Sequence, residues 1–451
     1  MALRRTDFGD DFIWGVASAA WQVEGAWDAA GKRPSVWDEA SHRGRVRGGL
    51  VGLEGIDAYH RLDEDLDLIA GMGAQANRFS VSWPRVFGDG RGPWNAAGAD
   101  YYDRLVDGCL ARGMQPWLTV HHWDLPQALW EEGGWTRRGI VEDFAAFAVR
   151  LAEHFGDRVR NWMVFNEPLS VMGHIAAGIH HRRLGPHPLQ ALQSMHHMNL
   201  ACAEAGRRMR EVLGTDARIG TTNVFTLCAP FDATGRLKKA QRAIEALTVD
   251  AFLDPAAGRG YPFDESPFLR PLRRYVRDGD LDACRFDYDF MGVQYYGPTP
   301  MRSVPLVGGL PVPTLRGAEA NVRSTTSIPV EPEGLTEILR RYRDHPACRR
   351  FVITESGFGM YDRMGRDGRV RDDLRVWYAR NHLEALRDAV DEGIPVDGFF
   401  QWSYADNIEW VYGRNGRYGL VYIDYEDGFR RVPKDSYRWF QQLLTTDDGV
   451  D

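Results

Sequence analysis

The sequence predicts an α/β protein, a single (β/α)8 barrel over residues 1–451 with long loops where its strands lead into helices. Three observations predict it. Short apolar runs recur along the chain, most of them beside a stretch with helical spacing. No composition break or linker divides the chain into smaller units. Polar residues gather where the strands end: Arg78, His122, Asn166 with Glu167, Asn223, Tyr296, Glu355 and Trp402. In an eight-stranded parallel barrel (a TIM barrel) that end carries the chemistry.

The first strand is the run 12–17, Phe12-Ile13-Trp14-Gly15-Val16-Ala17. An amphipathic stretch at 57–72 precedes the second, at 76–83. The third, 117–120, leads into His121-His122-Trp123. The fourth is the apolar run Trp162-Met163-Val164-Phe165, which follows a helical segment at 141–154. Pro168 has no N–H for a sheet ladder, so this strand stops at Asn166-Glu167 and leaves an amide beside a carboxyl at its mouth. A long helical stretch at 189–213 leads to the fifth strand, 218–223. The sixth to eighth are 290–296, 351–355 and 398–402, with helices after the last two at 373–392 and 436–444. The Pro- and Gly-rich stretch 297–334 is too long for a plain connection and reads as a functional loop at the rim.

Composition narrows the partners. A formal net charge of -8 gives nucleic acid or an anionic membrane no electrostatic footing. No run nears the roughly 18 apolar residues of a membrane span. Residues 1–11 are charged and lack the apolar core of a secretion signal, so the expected location is cytoplasmic. The five cysteines, Cys109, Cys202, Cys228, Cys284 and Cys348, are dispersed, which suits a reducing compartment and argues against a disulfide framework or zinc site. No metal or cofactor is expected. His121 and His122 are strand neighbours and point to opposite faces, so they cannot share an ion. His180-His181 and His196-His197 also lack ligand spacing and are assigned to the surface or rim, and Arg43, Arg45 and Arg47 to a solvated loop.

Glu167 and Glu355 end the fourth and seventh strands, and closing the barrel brings those ends to opposite sides of one pocket. Either alone is explained as well by a structural ion pair with arginine. Both together fit glycosidic bond cleavage, which needs two carboxyls flanking the bond.

Longer motifs sharpen this. Phe12-Ile13-Trp14-Gly15 through Gln22-Val23-Glu24-Gly25, His122-Trp123-Asp124-Leu125-Pro126, Phe165-Asn166-Glu167-Pro168, Ile353-Thr354-Glu355-Ser356-Gly357 and Asp406-Asn407-Ile408-Glu409-Trp410 resemble the signatures of glycoside hydrolase family 1, the β-glucosidase-like family. The resemblance implies a retaining β-glycosidase, most simply a β-glucosidase, acting on a small-molecule β-glycoside. Glu355 would attack the anomeric carbon; Glu167 would protonate the leaving oxygen and later activate water. Arg78 and Tyr296 would keep Glu355 ionised. Gln22, His122, Asn166 and Glu409 would hydrogen-bond sugar hydroxyls, with Asn166 at the 2-hydroxyl. Trp402 would form the stacking floor, flanked by Trp410, Trp123 and Tyr418. The resemblance also implies a cis peptide at Trp402-Ser403. Retaining enzymes hold their carboxyls about 5–5.5 Å apart, near enough that the pair resists double ionisation. Two rival readings use the same pocket: a transglycosylase with a non-water acceptor, and an inactive sugar-binding protein.

Four positions depart from the family pattern. Leu169 stands where Trp is usual, Ser356 and Gln294 where Asn is usual, and Arg414 where Tyr is frequent. Glu409 is kept, and the phosphate-binding set of phosphoglycosidase relatives is absent. The expectation is a glucose-like glycone with an unusual, bulky leaving group.

Overall fold

The structure is a computed structural model and describes residues 2–182, 185–230, 235–302, 310–311, 324–326 and 328–450. Eight parallel strands close into a barrel: β1 (Ile13–Ala17), β2 (Ala76–Ser80), β3 (Gln115–His121), β4 (Asn161–Asn166), β5 (Arg218–Val224), β6 (Phe290–Gln294), β7 (Phe351–Ser356) and β8 (Val396–Trp402). Each pairs with its neighbour in sequence, and β8 returns to β1 with Trp402 opposite Ala17. Every residue of β4, β6 and β7 is buried, because helices cover the outside of the barrel and side chains fill its inside. Among the described residues, no helix is long and apolar enough to cross a membrane.

Aromatic rings plug the lower barrel. Trp117 on β3 lies with its ring centroid 5.6 Å from Phe290 and 4.9 Å from Phe400. Gly15 makes room for them: a Cβ there would stand 2.4 Å from the Phe400 ring. Below, the Arg218 guanidinium covers the Phe290 ring at 5.3 Å and pairs with Asp397. The apolar end is thus shut, and the polar strand ends open at the opposite face.

The sequence expectations are corrected in places. The second strand stops at Ser80, because Pro84 starts a short helix, Trp83–Val86. The sixth stops at Gln294: the Tyr295 N–H still reaches the Glu355 carbonyl at 3.3 Å, and Tyr296 lies beyond the strand. Helices Ala96–Ala111 and Glu333–Tyr342, not anticipated, fill the gaps before β3 and β7. Within the expected rim loop, Thr299–Arg302 pairs with Cys228–Pro230 and Leu310–Pro311 in a small sheet, while 303–309, 312–323 and 327 lie outside the described residues.

His180, His196 and His197 are buried, contrary to their assignment to the surface or rim. The helix Pro188–Leu213 carries His196 and His197 on its inner face. There His196 meets the Tyr261 hydroxyl at 2.9 Å and Asp280 at 2.8 Å, and His197 meets the Trp135 carbonyl at 2.8 Å. Arg43 and Arg47 are exposed, as expected, whereas Arg45 is half-buried.

Phe400→Ala should cost about 3–5 kcal/mol, because the closed ring of neighbours cannot collapse into the space left. Denaturant unfolding should show a lower midpoint with an unchanged slope.

Candidate active site

Arg78 on β2 organises the strand ends. Its guanidinium is fully buried and donates from Nη1 to Glu355 Oε1 at 2.5 Å and to the Thr354 carbonyl at 3.1 Å. From Nη2 it donates to Asn166 Oδ1 at 2.5 Å. One cation thereby ties β2 to β4 and β7.

Glu355 accepts a second bond, 2.7 Å, from the Tyr296 hydroxyl at its other oxygen. Tyr296 is held from behind: the Tyr378 hydroxyl donates to its carbonyl at 3.2 Å and also meets Ser356 Oγ at 3.2 Å. Ser356, one of the departures, so braces the neighbour of Glu355.

Glu167 sits at the break between β4 and the helix Pro168–Ala177, with φ at 45°. Pro168 opens that helix, where its missing N–H costs nothing. A left-handed backbone is strained for a residue with a Cβ. Of the seven non-glycine residues with positive φ among those described, three, Trp123, Glu167 and Trp410, stand around this one opening. Such clustering marks functional geometry. Among the described residues, the Glu167 carboxyl has a single side-chain donor, the Ser170 hydroxyl at 2.6 Å, one helical turn on.

The opening is a cavity of about 330 Å³ lined by His122, Trp123, Glu167, Tyr296, Glu355, Trp402, Glu409, Trp410 and Tyr418, with Thr326, Ile328 and Tyr412 added. Nine of the twelve sequence candidates therefore share one wall, while Arg78, Gln22 and Asn166 lie one layer behind it. The Trp402–Ser403 peptide is cis, as the resemblance implies. Trp410 stacks on Trp21 at 5.3 Å and meets Trp123 at 4.3 Å, and the His122 ring lies between Trp402 and Trp410, 5.9 Å from each. His121 does not line the cavity and packs on Phe165 at 4.9 Å, so the two neighbouring rings lie on opposite sides of the strand. Among the described residues, no three His, Cys, Asp or Glu side chains converge as metal ligands. Asn223 and Leu169 do not line the cavity; Asn223 donates to the Met291 sulfur at 3.3 Å. Arg414 pairs with Glu54 and covers the Tyr425 ring at 4.2 Å, bracing the turn that carries Trp410.

The electrostatics separate the carboxyls. Burial, reinforced by the nearby Glu355 charge, pushes Glu167 up to about 8. The same two causes push Glu409 to about 8. Burial raises Glu355 too, but Arg78 and Tyr296 oppose it. Of the three it alone touches a guanidinium, so the negative charge of the cluster rests on Glu355. Burial holds His122 well below the usual imidazole range, with Arg78 and His121 acting the same way, so its ring is neutral.

Among the described residues, polar groups are also left unpaired. Gln22 gives its N–H groups to the Ile408 carbonyl at 2.9 Å and to Asn407 at 3.3 Å, but its Oε1 has no partner. His122 Nδ1 and Glu409 Oε2 are likewise buried and unpartnered. Such groups cost free energy unless something bonds them. Ser170, Thr326, Ile328 and Tyr412 belong to this site and are missed by sequence reasoning. Ser170 alone had a detectable signal, its position three residues beyond a carboxylate at a helix start.

A buried pair of carboxyls, one ion-paired and one holding its proton, at the open end of a TIM barrel defines a glycoside hydrolase site. The chain belongs to glycosyl hydrolase family 1, whose sequence profile matches residues 4–449. It is 38% identical over 445 residues to the thermostable β-glucosidase B of Thermobispora bispora, covering 97% of this chain and 90% of that one. It is 35% identical over 470 residues to an aryl-phospho-β-D-glucosidase of Bacillus subtilis, covering 97% of each. The solved family 1 β-glucosidase of Thermotoga maritima superposes with a TM-score of 0.90 at 32% identity, covering 98% and 99%.

The Glu167 proton gives a stability prediction. A free glutamate loses its proton near 4.5, whereas folded Glu167 keeps it to about 8. Its favourable contribution is whole below 4.5 and is lost as pH rises through 8. Glu167→Gln cannot ionise, so it should melt above the parent by a margin that grows between those values and then levels off. Thermal melts across the range read this directly.

Proposed function

We propose that this protein is a retaining β-glucosidase of the cytoplasm that hydrolyses an unphosphorylated β-glucoside through a covalent glycosyl-enzyme. The observation that carries the reading is the asymmetry of the two carboxyls: Glu355 is bonded to Arg78 and Tyr296, while Glu167 has only a serine hydroxyl and retains its proton.

In the first half-reaction Glu355 attacks the anomeric carbon, and Glu167 gives its proton to the departing oxygen. The new ester removes the Glu355 charge, the second cause of Glu167's high pKa. Glu167 then ionises more readily and takes a proton from the attacking water. The unpaired Gln22, His122 and Glu409 atoms supply partners for sugar hydroxyls, and Trp402 a stacking face. Among the described residues, no Lys or Arg lines the cavity and a third carboxyl does, which favours a neutral glycone over a phosphorylated one. The five cysteines are unpaired and buried, in keeping with a reducing compartment. The transglycosylase and inert alternatives gain no support from the named relatives, and the intact carboxyl pair argues against the inert one.

Glu355→Gly should abolish turnover of a dinitrophenyl β-glucoside, and azide should restore it with the α-glucosyl azide as product. Glu167→Ala should lower kcat/KM by about 10²–10⁴ for a poor leaving group and far less for dinitrophenolate. With the parent enzyme, kcat/KM should fall as pH rises past about 8, where Glu167 loses its proton.

A further inference from the structure

We propose that Gln294 is a positioning residue that seals the Asn166 carbonyl, so that Asn166 meets the sugar only as a hydrogen-bond donor. This rests on the glycosidase reading above.

Gln294 closes β6, directly opposite Glu355 on β7. It is fully buried, and its Nε2 donates to Asn166 Oδ1 at 2.8 Å. Arg78 Nη2 donates to the same oxygen at 2.5 Å. A carbonyl oxygen has two lone pairs, and here N–H groups fill both. Arginine cannot accept, so the Asn166 oxygen must face it. The Asn166 NH2 is then turned to His122 Nε2, 2.9 Å away. His122 is neutral, so Nε2 is the acceptor and the ring proton sits on Nδ1. Asn166 keeps one N–H that no atom of the described residues takes.

Gln294 holds this arrangement at a cost. Its own Oε1 is buried without a partner. Turning the amide over would set that oxygen against the Asn166 oxygen, acceptor on acceptor. The orphan is therefore forced by the bond that Gln294 makes. Without that bond, the Asn166 oxygen regains a free lone pair and is held by Arg78 alone.

The family signature implies that this N–H meets the glycone 2-hydroxyl, a bond that matters most in the transition state, where it strengthens. Loosening it should lower kcat and leave KM nearly alone, and only for sugars that have the hydroxyl. The test compares dinitrophenyl β-glucoside with its 2-deoxy counterpart. With Gln294→Met, similar in length and without a donor, kcat for the glucoside should fall about tenfold or more, the worth of one hydrogen bond, with KM within about twofold. For the 2-deoxy sugar kcat should change by less than about twofold. Gln294→Glu places a carboxyl against the Asn166 oxygen and should show the same selective loss. Equal losses on both sugars, or none on either, would overturn the inference while leaving the hydrolase reading intact. A parent protein inactive on both sugars would remove that reading and this inference with it.

Discussion

A single buried guanidinium sets the character of the whole strand-end surface. Bringing a charge out of water into the heart of a barrel costs several kcal/mol unless its N–H groups are all engaged. Arg78 comes close to that condition: four of its five N–H groups are engaged, by Glu355, the Thr354 carbonyl, Asn166 and, from Nε, the Met163 sulfur at 3.1 Å. Satisfying one side chain therefore fixes residues from three strands. It also breaks the symmetry between two chemically identical glutamates. Glu355 receives a cation and a phenol, Glu167 a serine hydroxyl, and in the proposed mechanism nucleophile and acid follow from that difference.

Around this polar centre the walls are stiff. Trp21, Trp37, Trp123 and Trp410 pack on one another, with centroids 4.3–5.4 Å apart, so Trp410 has little freedom to swing. Behind Trp402 lies a buried charge network in which Lys434 donates to Asp362 at 2.5 Å and to Asp406 at 2.6 Å, and Arg417 donates to Asp406 at 2.6 Å. Asp406 also accepts from the Gly419 N–H at 3.1 Å, joining the turn after β8 to the residue after Tyr418. Rigid supports of this kind hold a site to the fraction of an ångström that catalysis requires.

The barrel was legible because most of its strands are short apolar runs with a polar residue at or just past the end, a pattern that burial on both faces imposes. Pro168 marked the end of β4 for a backbone reason, and the position of Glu167 followed. What sequence could not convey was direction. His196 and His197 read as solvent-facing because a helix 26 residues long has no single obvious inner face, yet they lie buried against Tyr261, Asp280 and Trp135. Likewise Gln22 and Asn166 stood out as sugar ligands by motif, but only coordinates place them behind the cavity wall. Gln294 was visible as a departure, while its bond to Asn166 joins positions 128 apart and had no local trace.

The aromatic plug of Trp117, Phe290 and Phe400 has a bearing on traffic. With the lower end shut, everything enters and leaves by one mouth. In the proposed reaction the glycone is the deeper half of the substrate, so the aglycone must depart before glucose can follow. Free glucose and fresh substrate then contend for one vacant cavity, and a rising concentration of the end product slows its own formation.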